Sequence, residues 1–408
     1  MSAFSDRLPA YSLFGMILSG AGLPIYIYAP KFYADNFGVS LTALGAVLFG
    51  LRLFDVVQDP VLGWLSERLG DARKLAVWIG AALLAISMIG LFAVAPPIAP
   101  LIWFGITITG LFTAFSFLTI NFYAQGITKA GTLKGSHMRL AAWRETGALL
   151  GVCIAAVAPT LLADYVENPF AIFAYSFAAV TLIAAIAMRP EWSGRVTTEP
   201  SPIREILSDK LARRLLLLAL VNAAPLAVSS TLFLFYVESR LNAPGMEGPL
   251  LVLFFLAAAA SSPFWSWLAR KIGAKYALFA AMLLAIASFA FVLTLGEGDV
   301  TAFAMICILS GATIGADLTL MPALFAKRMA TVSPNGGQGF GLWSLVSKFT
   351  LAFAAAALLP VLEASGFRAG DANSAEALTT LTYLYALVPC ALKLIAVALL
   401  AATTLEEG

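Results

Sequence analysis

The chain has 408 residues, of which 61% are hydrophobic and 12% charged, and its formal net charge is +2. Soluble domains run at about 45–50% apolar and about 25% charged, and surface-to-volume scaling leaves a soluble chain no room to bury such an excess. The composition therefore points to an integral membrane protein, and the near-zero charge gives no sign of a nucleic-acid partner. Cys153, Cys307 and Cys390 all lie in apolar runs, where a thiol is a small hydrophobe. The single histidine, His137, falls in a polar connector, and no metal spacing or disulfide framework is visible. No resident cofactor is expected.

The first residues lack a signal peptide's basic region and cleavage pattern, so the first apolar run reads as a retained spanning helix. A span needs about 20 mostly apolar residues. In chain order the runs are 10–33, 41–65, 75–95, 98–127, 137–162 and 169–189, then 212–238, 248–269, 274–296, 300–326, 339–363 and 378–403. Lysine and arginine cluster in alternate connectors, including Arg73 and Lys74, Lys129 and Lys134, Arg270 and Lys271, and Lys327 and Arg328. The opposite connectors hold only Lys31, Arg240 and Arg368. By the positive-inside rule this predicts twelve helices with both termini cytoplasmic, in the cell (inner) membrane.

The longest polar connector, 190–211, carries Pro190, Pro200 and Pro202 and reads as a cytoplasmic linker. It separates an N-terminal six-helix bundle, 1–189, from a C-terminal one, 212–408. LSERLGDARKLAVW at 65–78 resembles LARKIGAKYALF at 268–279, and Trp143 aligns with Trp343, so the halves read as an internal repeat. Such pseudo-symmetric halves are how major facilitator transporters are built, with solute expected between them near the midplane.

Ionisable groups inside a bilayer are expensive and mark function by default. Arg52, Asp55 and Asp59 follow one another at helical spacing and share one face of the second helix. Two carboxylates one turn apart in low dielectric repel unless a cation or proton lies between them, which is what a coupling-ion site requires. Pro60 and Gly63 would free nearby backbone carbonyls as further ligands. The bland alternative is an Arg52–Asp55 pair that only fixes packing. Lys348 in mid-helix 11 needs a carboxylate, and Asp55 or Asp59 are its expected partners. Arg144 is read as gripping an anionic solute or pairing with Glu145 or Asp317. Asp317 aligns with Phe117 of the other half and is expected to face the same cavity. Lys393 is read as lying nearer a membrane face, where it snorkels. Tyr26, Tyr28, Asn121, Tyr123, Trp143 and Trp343 are candidates to line a sugar-sized cavity.

The stretch RLFDVVQDPVLGWLSERLGDARK at 52–74 resembles the helix-2 signature R-x-x-D-x-x-x-D-P-x-x-G of the glycoside–pentoside–hexuronide:cation symporters, the melibiose-permease branch of the major facilitator superfamily. Tyr33 with Asp35, and Gly341, Trp343 and Lys348, fit the same family. The resemblance implies that Asp55 and Asp59, with Gln58 between them, bind the coupling cation, Na+ or H+, and that Lys348 pairs with them. It implies that Arg144 lies near the sugar, and that Gly63, Glu67 and Arg68 belong to a gate on the cytoplasmic side. Where the family's best-known member has sugar-binding aspartates in helices 1 and 4, this chain has Ser19 and Phe117, and Asn121 stands for a tryptophan.

The expected function is therefore cation-coupled symport of a sugar, glycoside or hexuronide-like solute by alternating access, within one chain in the lipid bilayer. The alternatives are a carrier of lysolipids or other amphipathic anions, and a non-transporting sensor built on the same fold. With one loop histidine and no nucleophile–base cluster, an intramembrane enzyme is not expected.

Overall fold

The computed structural model describes residues 6–23, 28–132, 136–163, 165–192, 203–367 and 373–404. Its long elements are helices in chain order: α1 (Leu8–Leu23), α2 (Ala29–Phe37), α3 (Leu41–Arg68), α4 (Arg73–Phe92), α5 (Pro100–Thr132), α6 (Ser136–Ala163) and α7 (Pro169–Met188). There follow α8 (Ile203–Ser208), α9 (Lys210–Phe235), α10 (Glu247–Ile272), α11 (Ala274–Ala290), α12 (Val300–Val332), α13 (Gly337–Ala364) and α14 (Ala375–Ala401). Each of the twelve expected spans coincides with helix among the described residues. Among the described residues nine helices are individually long and apolar enough to cross a membrane. The protein is thus an all-helical, multi-pass membrane protein.

Within the first run, 10–33, helix is described over Leu8–Leu23 and again from Ala29, and Pro30 stands in the first turn of α2, where a missing N–H costs nothing. This second helix ends at Gly38, whose φ of 64° lets its N–H bond back to Ala34 and Tyr33. The connector 190–211 holds the short helix α8 and the Asp209 cap of α9, whose carboxylate accepts from the Ala212 N–H at 2.7 Å. His137, read as a connector residue, sits half-buried in the first turn of α6.

The chain divides into two compact units, residues 1–208 with 326–345, and 209–325 with 346–408. In the first, α1 packs along α6, and α4 lies against α5 and α7. In the second, α14 packs against α9 and α11. Helices without functional charges are apolar on all sides, as contact with both bundle and lipid requires. On α4, for example, Val77, Ala81, Leu84 and Met88 are buried in the bundle. Leu75, Ile79 and Ile86 on its other side are 64%, 60% and 66% exposed, a face suited to acyl chains.

Without a hydrophobic force between helices in lipid, close approach depends on small residues. Gly147 and Gly151, one turn apart on α6, lie directly against the Ser12 and Met16 backbone of α1. From the other side, a Cβ on Gly15 would come within 2.7 Å of the Arg144 carbonyl oxygen. This crossing fixes the register of α6, and with it the position of Arg144 and Glu145.

Candidate functional site

Asp55, Gln58 and Asp59 are all buried on α3, at 1%, 7% and 0% exposure. Gln58 Oε1 accepts from the Thr113 hydroxyl of α5 at 3.0 Å, while its Nε2 is buried without a hydrogen-bond partner. Asp59 Oδ2 accepts from the Ser344 hydroxyl of α13 at 2.6 Å. Pro60 follows directly inside the helix and has no N–H to offer the carbonyl of Val56. Two ionised carboxylates at the ~6 Å spacing of i,i+4 positions repel by on the order of 3 kcal/mol at an effective dielectric of about 20. A monovalent cation or proton between them removes that term. The oxygen-rich composition suits a hard cation better than a soft one. Arg52 lies on the same helix, one turn before Asp55, and its side chain is outside the described residues.

One to two turns further on, Glu67 is buried and its Oε1 accepts from the Gln338 backbone N–H at 2.8 Å. Gly63 lies against the backbone of Gly337, since a Cβ there would meet the Gly337 oxygen at 2.6 Å. Arg68 instead lies exposed, its guanidinium 4.2 Å above the Trp64 ring. Of the three residues read as a gate, Gly63 and Glu67 make the α3–α13 contact, and Arg68 stacks at the surface.

Asn121 of α5 closes the same end. Its Oδ1 accepts from Ser66 Oγ at 2.7 Å and from Arg73 Nε at 2.8 Å, and its Nδ2 donates to the Phe117 carbonyl. Arg73 also donates to the Asn121 carbonyl at 2.9 Å. Read from the sequence as a cavity residue, Asn121 here ties α3, α4 and α5 together. Asn121→Ala leaves a buried hydroxyl and a guanidinium short of an acceptor, so it is expected to cost about 1–3 kcal/mol of stability. A thermal unfolding midpoint in detergent equal to that of the unmutated protein would contradict this role.

On α6, Arg144 and Glu145 are buried, and Arg144 Nε donates to Glu145 Oε1 at 2.8 Å. The Tyr123 hydroxyl donates to the same oxygen at 2.9 Å, and the Arg144 guanidinium lies 3.7 Å over the Tyr123 ring. Arg144 Nη2 is buried without a hydrogen-bond partner. Of the two carboxylates expected as partners, Glu145 is the one paired with Arg144 here. Trp143 is half-buried against the core of the first unit, and Trp343 is half-buried on α13. Tyr26 falls outside the described residues. Lys348 lies on α13 beyond residue 345, so it belongs to the second unit, half-buried.

In the second unit, Asp317 of α12 is 7% exposed and its Oδ2 pairs with Lys393 Nζ of α14. Lys393 also donates to Asn222 Oδ1 of α9 at 2.7 Å. Lys393 therefore does not snorkel toward a membrane face. At 5% exposure it is inside the bundle, held there by a carboxylate that neutralises it.

Sequence reasoning missed Ser344, Gln338, Thr113, Arg73 and Asn222. The glycine-rich run 335-NGGQGFG-341 was a readable sign of close backbone approach. The others are single polar residues in helices or at their ends, and only tertiary packing singles them out.

The sequence pattern of the MFS/sugar transport protein family spans residues 10–407. The glucuronide carrier protein homolog of Escherichia coli strain K12 is 24% identical over 395 residues, covering 91% of this chain and 86% of that protein. The raffinose permease of Escherichia coli is 28% identical over 117 residues, 28% of each chain. Among solved structures, a bacterial homologue of the iron transporter ferroportin in an outward-facing state matches with a TM-score of 0.71 at 16% identity, over 97% of this chain and 98% of that one. The fucose:proton symporter of Escherichia coli matches with a TM-score of 0.66 at 13% identity, over 98% of each chain. At these identities the two structures speak for the fold alone.

Proposed function

Because this chain belongs to the MFS/sugar transport protein family, a family of multi-pass membrane transporters and not of enzymes, we propose that it carries a sugar-class solute by cation-coupled symport. The observation that carries this reading is the pair of fully buried carboxylates, Asp55 and Asp59, on one face of α3. Neither is tolerable as an anion in a bilayer without a compensating charge. Their one-turn spacing suits a Na+ or H+ shared between them. Rotating the Gln58 amide would let Nε2 donate to Thr113 and leave Oε1 as a further ligand. In this reading both termini are cytoplasmic, the connector 190–211 joins two six-helix halves, and one chain suffices for alternating access.

The solute class follows from Arg144. A buried guanidinium with one unused nitrogen, stacked on an aromatic ring, suits a carboxylate on a sugar ring. Glu145 balances the guanidinium's single charge, so Arg144 offers a solute carboxylate directional, charge-assisted hydrogen bonds and not a net positive charge. The carboxylate-bearing sugars, hexuronides, fit this better than neutral glycosides. The glucuronide carrier homolog among the relatives is in keeping with that class. Arg144→Lys keeps the charge and loses the fork, so it is expected to weaken a hexuronide by about 10–100-fold and a neutral glycoside far less. Equal losses for both would remove Arg144 from the carboxylate site.

The test is thermal stability of the purified protein in sodium against choline buffer at two pH values, with glucuronides, neutral glycosides and lysolipids in turn. A ligand that binds only the folded state raises the midpoint by mass action. Stabilisation by a glucuronide, stronger with sodium or at lower pH, with that cation dependence absent in Asp59→Asn, is the expected result. Stabilisation by lysolipids alone would overturn the sugar assignment.

A further inference from the structure

The second unit holds a polar cluster that the α3 chemistry does not use. Asp317, Lys393 and Asn222 come from three helices and are 7%, 5% and 4% exposed. Lys393 spends one hydrogen on Asn222 and one on Asp317 Oδ2. The ion pair carries no net charge as a whole. Asp317 Oδ1 is left buried with no hydrogen-bond partner. Such an oxygen is among the stronger acceptors a protein can offer, and leaving it unmatched is costly.

All three residues line one cavity of about 70 Å3. At about 10–15 Å3 per water by this measure, it takes a few waters, and hence one hydroxyl-bearing edge of a larger solute. Ser229, Ser310 and Thr313 also line it. Each already donates its only proton to backbone, at 3.0, 2.6 and 2.7 Å, so toward the cavity each can only accept. The third hydrogen of Lys393 remains as a donor. Phe254 and Phe289 supply apolar wall. A cation would face Lys393 and an anion would face Asp317. A neutral hydroxyl, which donates to Asp317 Oδ1 and accepts from Lys393, meets both.

We propose that Asp317, oriented by Lys393 and Asn222, is a hydroxyl-recognition subsite within the second unit for an uncharged polyol edge of the solute. This rests on the sugar-class reading above and concerns the second unit by itself.

The probes are methyl β-D-glucuronide, methyl β-D-glucoside and their monodeoxy analogues, with binding measured on the full-length purified protein. Asp317→Asn is expected to weaken the parent compound by at least about tenfold. One monodeoxy analogue should bind the wild type that much more weakly and lose nothing further in Asp317→Asn, which identifies the hydroxyl. Because Asp317→Asn strips Lys393 of its counter-ion, Asp317→Asn/Lys393→Met, which removes both charges, serves as the second variant and is expected to show the same loss. If the wild type binds a parent compound and the folded double variant binds it equally well, the subsite is wrong and the sugar reading stands. If every deoxy analogue loses the same factor in wild type and variant, Asp317 touches no hydroxyl and the subsite is again wrong. If the wild type binds none of the panel, the sugar reading fails, and the subsite with it.

Discussion

Asp59→Asn is expected to abolish cation-driven accumulation of solute while leaving the protein folded and able to exchange solute down its gradient. Asparagine has nearly the shape of aspartate, and its Oδ1 can still accept the Ser344 hydroxyl that now reaches Asp59 at 2.6 Å. Packing around this fully buried position is therefore retained. What is lost is the negative charge, and with it the repulsion from Asp55 that a coupling cation relieves. An ion gradient equivalent to 100 mV supplies about 2.3 kcal/mol per charge, enough for about 50-fold accumulation by one-to-one symport. In vesicles with an imposed sodium or proton gradient, that ratio should fall to about one in the variant, while counterflow of labelled solute continues. Gradient-driven accumulation that survives in Asp59→Asn would sink the coupling assignment. Asp55→Asn is expected to behave alike, because the argument depends on the pair and not on one member.

The helices were legible because hydropathy acts on runs of about twenty residues, long enough to average out single polar positions. Asp55 and Asp59 were legible for the opposite reason, since a charge in an apolar helix stands out against its neighbours. Partners were not. Lys393 is eight positions from the end of α14, close enough by counting to suggest snorkelling, and nothing in the sequence places Asp317, 76 positions away, beside it. Arg144 and Glu145 are consecutive, and adjacent residues on a helix normally point apart. The length of the arginine side chain lets Nε fold back to Glu145 at 2.8 Å. Ser344 is one serine among many in helices, and only the register of α13 against α3 brings it to Asp59. Such registers depend on backbone proximity, which glycines permit but do not specify.

Gly337→Val is expected to lower transport by more than tenfold without unfolding the protein. A Cβ at Gly337 would lie 2.7 Å from the Gly63 carbonyl oxygen and 2.8 Å from Glu67 Cγ, and one at Gly63 would lie 2.6 Å from the Gly337 oxygen. These are backbone contacts on both sides, so the side chain cannot be accommodated by a rotamer change and α3 and α13 must separate. Overpacking of this kind costs about 1–3 kcal/mol. Applied to a two-state contact, that energy shifts its population by about 5–150-fold. Separation also pulls the Gln338 N–H from Glu67, now at 2.8 Å, and loosens Ser344 from Asp59 two turns further along the same helix. The crossing and the carboxylate are thus mechanically joined, and a cation that competes with Ser344 for Asp59 would weaken the contact from the other end. Ser66→Cys, at a position now 4% exposed, reports on it once the three native cysteines are replaced. In Gly337→Val and in Gly63→Val its reaction with a membrane-impermeant maleimide should speed up, and Gly337→Ala should fall between. Unchanged reactivity together with unchanged transport would mean that α3 and α13 merely touch, and that this contact gates nothing.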